Sequence, residues 1–529
     1  MSNRGALAAT GVVLALLVLA TPASATTFCV PGFFDACPNN GSNLVRSDLS
    51  AAMSDEGSDG EADKVVINAG TFTAPESIVA TGTDPLEVTG AGREKTFLTS
   101  SSTGNIFLLR TDDRPGTKMS DLTLVVPASF PDAGGNGSAA QIEDAVLTRV
   151  DVEIRNSESD GFASLIGKNV IVDSHVYAAE GSKVDWAFRT NYAGVPGKTT
   201  IIGAVVDQPT YGFVASKEKT LLDVRLSQVN GPTAAAVWAG AGGRVNLENS
   251  LVTTYGARAV TVNPEPAKPD LSVVNISSST LVNIGSAPYP AIAITVPSSS
   301  SAGDGQVNMS GSIIHGYEET WNMSVPVGPG FPAASLNVGH SNFPPVASEG
   351  SGGTANTGSV TNINQDPLFV SPQDPRLLPD SPSIDSGNPA STLTVDLAGD
   401  PRPRDGDGND SSLPDQGAYE FQPTCETVPA LCPDTTPPKI SKVTFRFRRG
   451  KGGAIRLKLS EEAKLKVTLS PKPRKKRKVV KLSRNAAAGH QKLKLGKKKL
   501  KPGRYRMVII ATDQSGNKSK KTRSVRAKG

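Results

Sequence analysis

The sequence predicts an all-β chain in which a long β-solenoid is followed by a separate β-sandwich. Three observations carry that prediction. Short alternating apolar runs recur every 21 to 32 residues, no helical pattern separates them, and the charge changes abruptly near position 434. Periods of this length mark stacked structural repeats, and repeats made of strands alone give a β-solenoid. Composition agrees, since Gly (52) and Pro (39) are frequent and aromatic residues make up only 5% of the 529 positions.

In chain order, Arg4, the apolar run Ala6 to Ala20 and the small residues Ala23-Ser24-Ala25 predict a secretory signal peptide over 1–25. No later run reaches the roughly 18 apolar residues of a membrane helix, so the mature chain is expected outside the cell with no transmembrane segment. The four cysteines form two close pairs, Cys29 with Cys37 and Cys425 with Cys432. Two local disulfides are expected in an exported chain, although three pairings are formally open. Segment 26–64 reads as an N-terminal cap. There Leu44, Val45, Leu49, Ala52 and Met53 share one helical face over 43–53, and this helix is expected to shield the open edge of the first rung. From 65 to 345 the rungs include LTRVDVEI, VIVDSHVY, LLDVRL, VNLENSLV and VNMSGSIIH, with Ser250, Thr280 and Ser312 at matching positions. At about 4.8 Å per rung, roughly eleven rungs make a rod near 50 Å long.

The entry segment KVVINAGTF, GAGREKTFL and SDLTLVV resembles exported bacterial right-handed parallel β-helix proteins. Further on, DPLFVSPQDPRLLPDSPSIDSGNP (366–389), DLAGDPRPRDGDGND (396–410) and DQGAYEF (415–421) resemble the choice-of-anchor Q region that ends many of them. Gln416 departs from the apolar residue usual there. The resemblance spans about positions 43 to 421 and implies a right-handed parallel β-helix closed by a loop-rich region over 346–422. The residues themselves agree. This stretch is rich in Pro, Asp and Gly, with isolated apolar anchors such as Leu368, Phe369, Leu377, Ile384, Tyr419 and Phe421. It reads as a cover laid over the last rung, preceded by a flexible surface excursion, GSGGTANTGS (350–359).

A linker over 423–438 ends in DTTPP, and seven strand-like runs over 439–529 predict the sandwich. DTTPPKI, LSEEAKLKVTL and PGRYRMVIIATDQSGNKS resemble bacterial immunoglobulin-like or fibronectin-like modules. Positions 434–529 hold 32 Lys and Arg against 4 Asp and Glu, whereas the rest of the chain holds 23 against 46. Such asymmetry assigns the two parts to different partners.

Several side chains are candidates for chemistry. Acids recur on the rungs at Asp151, Asp173, Asp223 and Glu248, with Arg149 and Arg225 nearby. Aligned on one face, they would hold Ca²⁺ and an acidic sugar, which makes Asp151, Asp173, Asp223 and Arg225 the candidate catalytic residues. Strand alternation alone also places such residues on a solvated outer face. The paired-Asp, Gly-His-Gly and Arg-Ile-Lys motifs of polygalacturonase-type β-helices are missing, and Asp112-Asp113 stands alone in TDDRPG. Trp186, Tyr211, Trp238 and Trp321 are candidate sugar platforms. His175, His315 and His340 fall at similar rung positions, where polar stacking or exposure is expected rather than metal ligation. Asp405, Asp407, Asn409 and Asp415 form a candidate Ca²⁺ loop outside the EF-hand pattern.

In the basic part, Lys472, Arg474, Lys475, Lys476, Arg477 and Lys478 occupy a predicted hairpin loop. With Lys497, Lys498 and Lys499 they are the candidate polyanion-binding residues. A specific nucleic-acid reader would add stacking aromatics, whereas Phe445, Phe447 and Tyr505 lie on strand patterns that read as core. The expected function is therefore that of a secreted, non-catalytic, monomeric surface or matrix protein. Its basic module would bind an anionic polysaccharide or cell-envelope polymer noncovalently, no sortase-type tail being visible, with extracellular DNA as a non-specific substitute. The alternative is a polysaccharide lyase or hydrolase acting on an acidic glycan in the β-helix groove.

Overall fold

The computed structural model describes residues 25–529 apart from 55–60, 80–83, 102–104, 110–115, 130–136, 157, 191–196, 287, 327, 329, 345, 350–352, 429–431, 433 and 474–477. The expected signal peptide, Asp112, Asp113 and the loop residues Arg474, Lys475, Lys476 and Arg477 lie outside the described residues. The chain divides into two compact units, 1–423 and 424–529. No helix among the described residues is long and apolar enough to cross a membrane. Both local disulfides form, Cys29–Cys37 and Cys425–Cys432, a pattern that fits an extracellular protein.

The first unit is a parallel β-solenoid with three strand faces. Its first two faces are one 22-stranded sheet bent at a corner, and its third face stacks eleven strands from Ile78–Val79 to Ala347–Glu349. Inward residues of all three faces form one core. On the third face Phe162, Phe188 and Phe213 are in register, fully buried and stacked at 5.1 and 5.5 Å between ring centroids. An interior column of identical rings is how a solenoid fills its bore without voids.

The corner between the first two faces is built from one left-handed residue per rung: Asp121, Arg149, Asp173, Gly203, Leu226, Asn249, Ser278, Gly311 and His340. The neighbouring corners are joined by backbone hydrogen bonds, such as Gly203 N–H to the Arg225 carbonyl and Leu226 N–H to that of Glu248. A positive φ costs a side chain about 1–2 kcal/mol, so its repetition at the seven non-glycine corners implies a compensating gain, and the next residue supplies part of it. Ser227, Ser250, Ser279, Ser312 and Ser341 form a buried ladder in which each hydroxyl accepts the N–H of the equivalent residue one rung earlier at 3.1–3.2 Å. Each also donates to the carbonyl two residues back at 2.7–2.9 Å. Thr280 is thus not the equivalent of Ser250; it pairs with Leu251, and Ser279 holds the ladder position. On the outer side of the first face, Asn246, Asn275, Asn308, Asn337 and Asn356 form an amide ladder at 2.7–2.8 Å.

Both ends of the solenoid differ from expectation. The cap over 26–64 contributes a strand, Thr27–Val30, that pairs in parallel with Asp63–Ile67 and carries the buried Cys29. The helix is shorter than the apolar spacing implied and spans only Leu49–Ser54. Asp48 starts it by accepting the Ala51 N–H at 2.8 Å, while Leu44 and Val45 form a short strand on Thr27–Val30 with exposed side chains. At the other end, Gly353–Asn356 adds a strand to the first face, because Asn356 extends the amide ladder. This corrects both the boundary at 345 and the reading of GSGGTANTGS as a surface excursion.

The loop-rich segment that follows runs along the corner instead of covering the last rung. It touches Asn342 through Ser383, Ser310 through Asn388, Gly311 and Thr280 through Gly417 and Ala418, and Asn249 through Val395. Polar corner residues offer hydrogen-bond partners along the side of the rod, and Gly311 leaves room for the Asn388 backbone. Its own centre is polar. Arg402 and Glu420 are fully buried and paired at 3.2 Å, and the Arg402 guanidinium also donates to the carbonyls of Gly417 and Asp415. Asp396 accepts backbone N–H groups from Ala398, Asp400 and Glu420, and Asp415 accepts them from Asp385 and Phe421.

Gln416 sits among these groups at 0% exposure, and neither end of its amide has a hydrogen-bond partner. Leaving a buried amide unpaired costs about 1–3 kcal/mol. Gln416→Leu, which places an apolar side chain of similar volume there, is therefore expected to stabilise the first unit by about that amount. The check is a rightward shift of its urea midpoint at unchanged slope.

The second unit is a β-sandwich of seven strands, all at the predicted runs. Ile440–Arg448, Gly452–Leu459 and Gly489–Leu495 form one antiparallel sheet. Val480–Ala486, Ala463–Lys472, Gly503–Thr512 and Lys518–Ala527 form the other. Alternation puts Ile455, Leu457, Leu493 and Leu495 of one sheet against Leu465, Val467, Met507 and Ile509 of the other in a single core.

Candidate functional site

The rung acids do not meet in one groove. Asp151 lies on the second face, in register with Thr123, while Asp173 is a corner residue and Asp223 sits on the first face opposite Thr200 and Asn246. Arg93 joins the first two, with 3.3 Å to Asp151 and 2.6 Å to Asp173. Sequence reading missed it because it lies in an early loop. Arg149 is occupied by two hydrogen bonds to Asp121 at 2.6 and 2.8 Å, which hold that carboxyl below its ordinary range. Burial pushes Asp151 up, against the His175 N–H and Arg93, which pull it down. Asp223 is paired with Arg225 at 3.1 Å and Lys198 at 3.6 Å, and Arg225 reaches Glu248 at 3.4 Å. Each acid is answered by a base: Asp223 and Arg225 pair within one strand, Lys198 and Glu248 join them from the adjacent rungs, and Arg93 reaches its two acids across more than one rung.

The histidines also part company. His175 begins a second-face strand and bonds Asp207 at 2.7 Å, an interaction that lowers the Asp207 pKa. His315 ends such a strand against the edge of Phe369, where burial lowers its pKa. His340 is a corner residue. The similar spacing seen in sequence fails because rung lengths vary.

Of the four candidate platforms, Trp321 is core, 5% exposed and in the inward row of the third face. The other three cluster on the outside of that face. Trp186 stacks on Tyr211 at 4.5 Å, and Trp238 meets them at 5.7 and 6.4 Å. Arg189 lies 4.3 Å over the Trp186 ring and 3.7 Å from Asp160. Burial, with the Asp185 carboxylate adding to it, pushes Asp160 up to about 7 against the pull of Arg189. Trp186 is thus already engaged by Tyr211 and Arg189, which leaves less ring face for a sugar.

The DGDGND loop brings Asp405 and Asp407 together with Asp385, which sequence reading did not select. Asp415 is absent from that cluster because it is buried beside Glu420 and holds the N–H groups of Asp385 and Phe421. Burial and the neighbouring Glu420 push its carboxyl well up. Asn409 spends its amide on Asp407 and Ser411. All six carboxylate oxygens of Asp385, Asp405 and Asp407 accept hydrogen bonds from Leu413, Gly406, Asp407, Gly408, Asn409 and Asp410. The loop is satisfied by its own donors.

A basic concave surface lies in the second unit. The outer side of the three-stranded sheet forms a groove of about 850 Å³ lined by Lys442, Arg446, Lys451, Arg456, Lys492, Lys494, Lys497 and His490. Register explains it: Thr444, Arg456 and Lys492 lie in one row across the strands, and Arg446, Ala454 and Lys494 in the next. Gly453 and Ala454 keep the floor low. Among the described residues no ion pair reaches any of these cations. Of the loop residues selected from sequence, Lys497 lines the groove, whereas Lys472 belongs to the other sheet. Lys478, Lys498 and Lys499 are exposed outside the strands. The alternating KLKL run was the signal for the sheet face.

The sequence matches no protein-family model and no curated protein sequence. Among solved structures, the chain is similar to the catalytic unit of the GH87 α-1,3-glucanase of Streptomyces thermodiastaticus strain HF3-3, with 13% identity and a TM-score of 0.37 over 57% of this chain and 62% of that one. It is also similar to the A-module of the Azotobacter vinelandii mannuronan C-5 epimerase AlgE4, with 15% identity and a TM-score of 0.36 over 60% and 95%. Pectate lyase Pel9A gives 13% identity and a TM-score of 0.33 over 76% and 97%.

Proposed function

We propose that the protein is an exported, non-catalytic β-helix protein that binds anionic polymers of the cell envelope or matrix through its basic sandwich. The observation that carries this reading is the uncompensated groove. Arg456 and Lys492 are directly opposite on neighbouring strands, a placement of like charges that costs stability unless an anion lies between them. A groove open along a sheet suits an extended chain of repeated carboxylate, sulfate or phosphate groups. The rung acids, in contrast, are spent on ion pairs, and the choice-of-anchor-like segment along the corner adds a rigid flank to the rod.

The test is binding of the full mature chain to immobilised polyuronate, polyphosphate and double-stranded DNA across a salt series. Binding is expected to all three at low salt and to weaken linearly in log K against log salt. The triple variant Arg456→Glu, Lys492→Glu, Lys494→Glu is expected to lower that slope by about 3, one per lost contact, while Lys472→Gln with Lys478→Gln changes it little. No retention at low salt would sink the proposal. Release of unsaturated ends from polyuronate would overturn its non-catalytic part.

A further inference from the structure

Positions 434–529 contain only four acidic residues against 32 basic ones, yet three of the four converge. Asp434 at the end of the linker, Glu461 in the turn after Gly452–Leu459 and Asp513 in the turn after Gly503–Thr512 bring carboxylate oxygens within 4.8 Å of one another. In a module this basic, each acid had lysines to pair with, and among the described residues none does so. Asp513 adds an independent sign of a missing ligand. It is 8% exposed, its Oδ1 accepts the Asn517 N–H at 2.8 Å, and its Oδ2 is buried with no partner. Asp434 accepts the Thr436 N–H through Oδ1, and Glu461 accepts the Ser460 hydroxyl through Oε1. Each residue therefore keeps one oxygen free of hydrogen bonds. This is the reverse of the Asp385 cluster, where all six oxygens are taken.

We propose that Asp434, Glu461 and Asp513 form a Ca²⁺ site that fastens the end of the linker to two turns of the sandwich. All donors are oxygen, which selects a hard cation. They come from three separate turns, a variable geometry that suits Ca²⁺ better than the strict octahedron of Mg²⁺. The surrounding lysines oppose a cation, but their field is screened over about 8 Å at physiological salt, whereas three carboxylates would touch the ion directly. Asn517 strengthens the arrangement, because its side-chain amide donates to the Asp434 carbonyl and its N–H holds Asp513.

The experiment is calorimetric titration of CaCl₂ into the EDTA-stripped full chain. One Ca²⁺ per chain is expected, with a Kd of about 10⁻⁴–10⁻³ M, as in extracellular modules. Asp513→Asn abolishes the heat, Glu461→Gln weakens binding by at least about tenfold, and Asp405→Asn with Asp407→Asn leaves it unchanged. If Asp513→Asn fails to fold, Glu461→Gln decides alone, since its side chain lies in a half-exposed turn. The inference is overturned by an absence of binding in the parent chain. It is equally overturned by binding that survives the sandwich variants but is lost with the Asp405 pair, or by equal affinity for Mg²⁺. None of these outcomes depends on whether the basic groove binds a polymer.

Discussion

Replacing Arg402 by methionine is expected to cost the first unit about 3–5 kcal/mol, the usual penalty for removing one partner of a buried ion pair. Among the described residues the guanidinium is the one cation paired with Glu420, and it also ties down two carbonyls of the same segment. Without it Glu420 and Asp415 remain as like charges in a dry site. Both carboxyls already sit above their ordinary range through burial, and loss of the cation raises them further. A raised folded-state pKa means that the folded chain holds the proton more tightly than the unfolded one. Stability then falls as pH rises from about 4, the unfolded carboxyl value, through the folded value. The defect of Arg402→Met should accordingly be smallest in acid and grow toward neutral pH. Urea melts at several pH values measure this, and a defect that is flat with pH would show that the buried charges are not the cause.

Truncating Phe188 is the second large effect. Phe188→Ala empties the middle of the interior ring column and separates Phe162 from Phe213, at an expected cost of about 3–5 kcal/mol. The neighbours cannot collapse into the gap, because strand spacing is fixed by backbone hydrogen bonds at about 4.8 Å. All three tryptophans of the chain, Trp186, Trp238 and Trp321, belong to the first unit. Their fluorescence therefore reports this unit without interference from the sandwich. Phe188→Leu, which keeps most of the volume, should recover more than half of the loss, whereas equal losses for both variants would contradict a packing cause.

Strands were legible in the sequence wherever inward and outward residues alternate, as in VNLENSLV or KLKL. The corners were not, since the left-handed position is filled by Asp, Arg, Leu, Asn, Ser, Gly and His in turn. The backbone demands that conformation, and the rung-to-rung hydrogen bonds repay any side chain that accepts it. The helix at 43–53 was overread because a 3.6-residue period also fits a strand followed by a single capped turn. The polar centre of the loop-rich segment was not legible, because nothing in GDPRP or DQGAYE says that Arg402 and Glu420 face each other in a dry interior. Arg93, and the three acids of the sandwich, are joined only by folding. The departure at Gln416 was legible, and the structure gives it a physical meaning as an unpaired buried amide.

The serine-lined corner also determines where this molecule can change. Chain length between successive corner residues is uneven, so that variation is taken up away from this corner, in the third face and the bends that flank it. A residue inserted at those bends lengthens a loop and leaves the stack alone. One inserted beside Ser250 or Ser279 would move the hydroxyl off its ladder and turn the following strand inside out. The rod is thus a scaffold with one geometrically regular spine and two margins open to grafting, and new surface chemistry can be added to it rung by rung without renegotiating the fold.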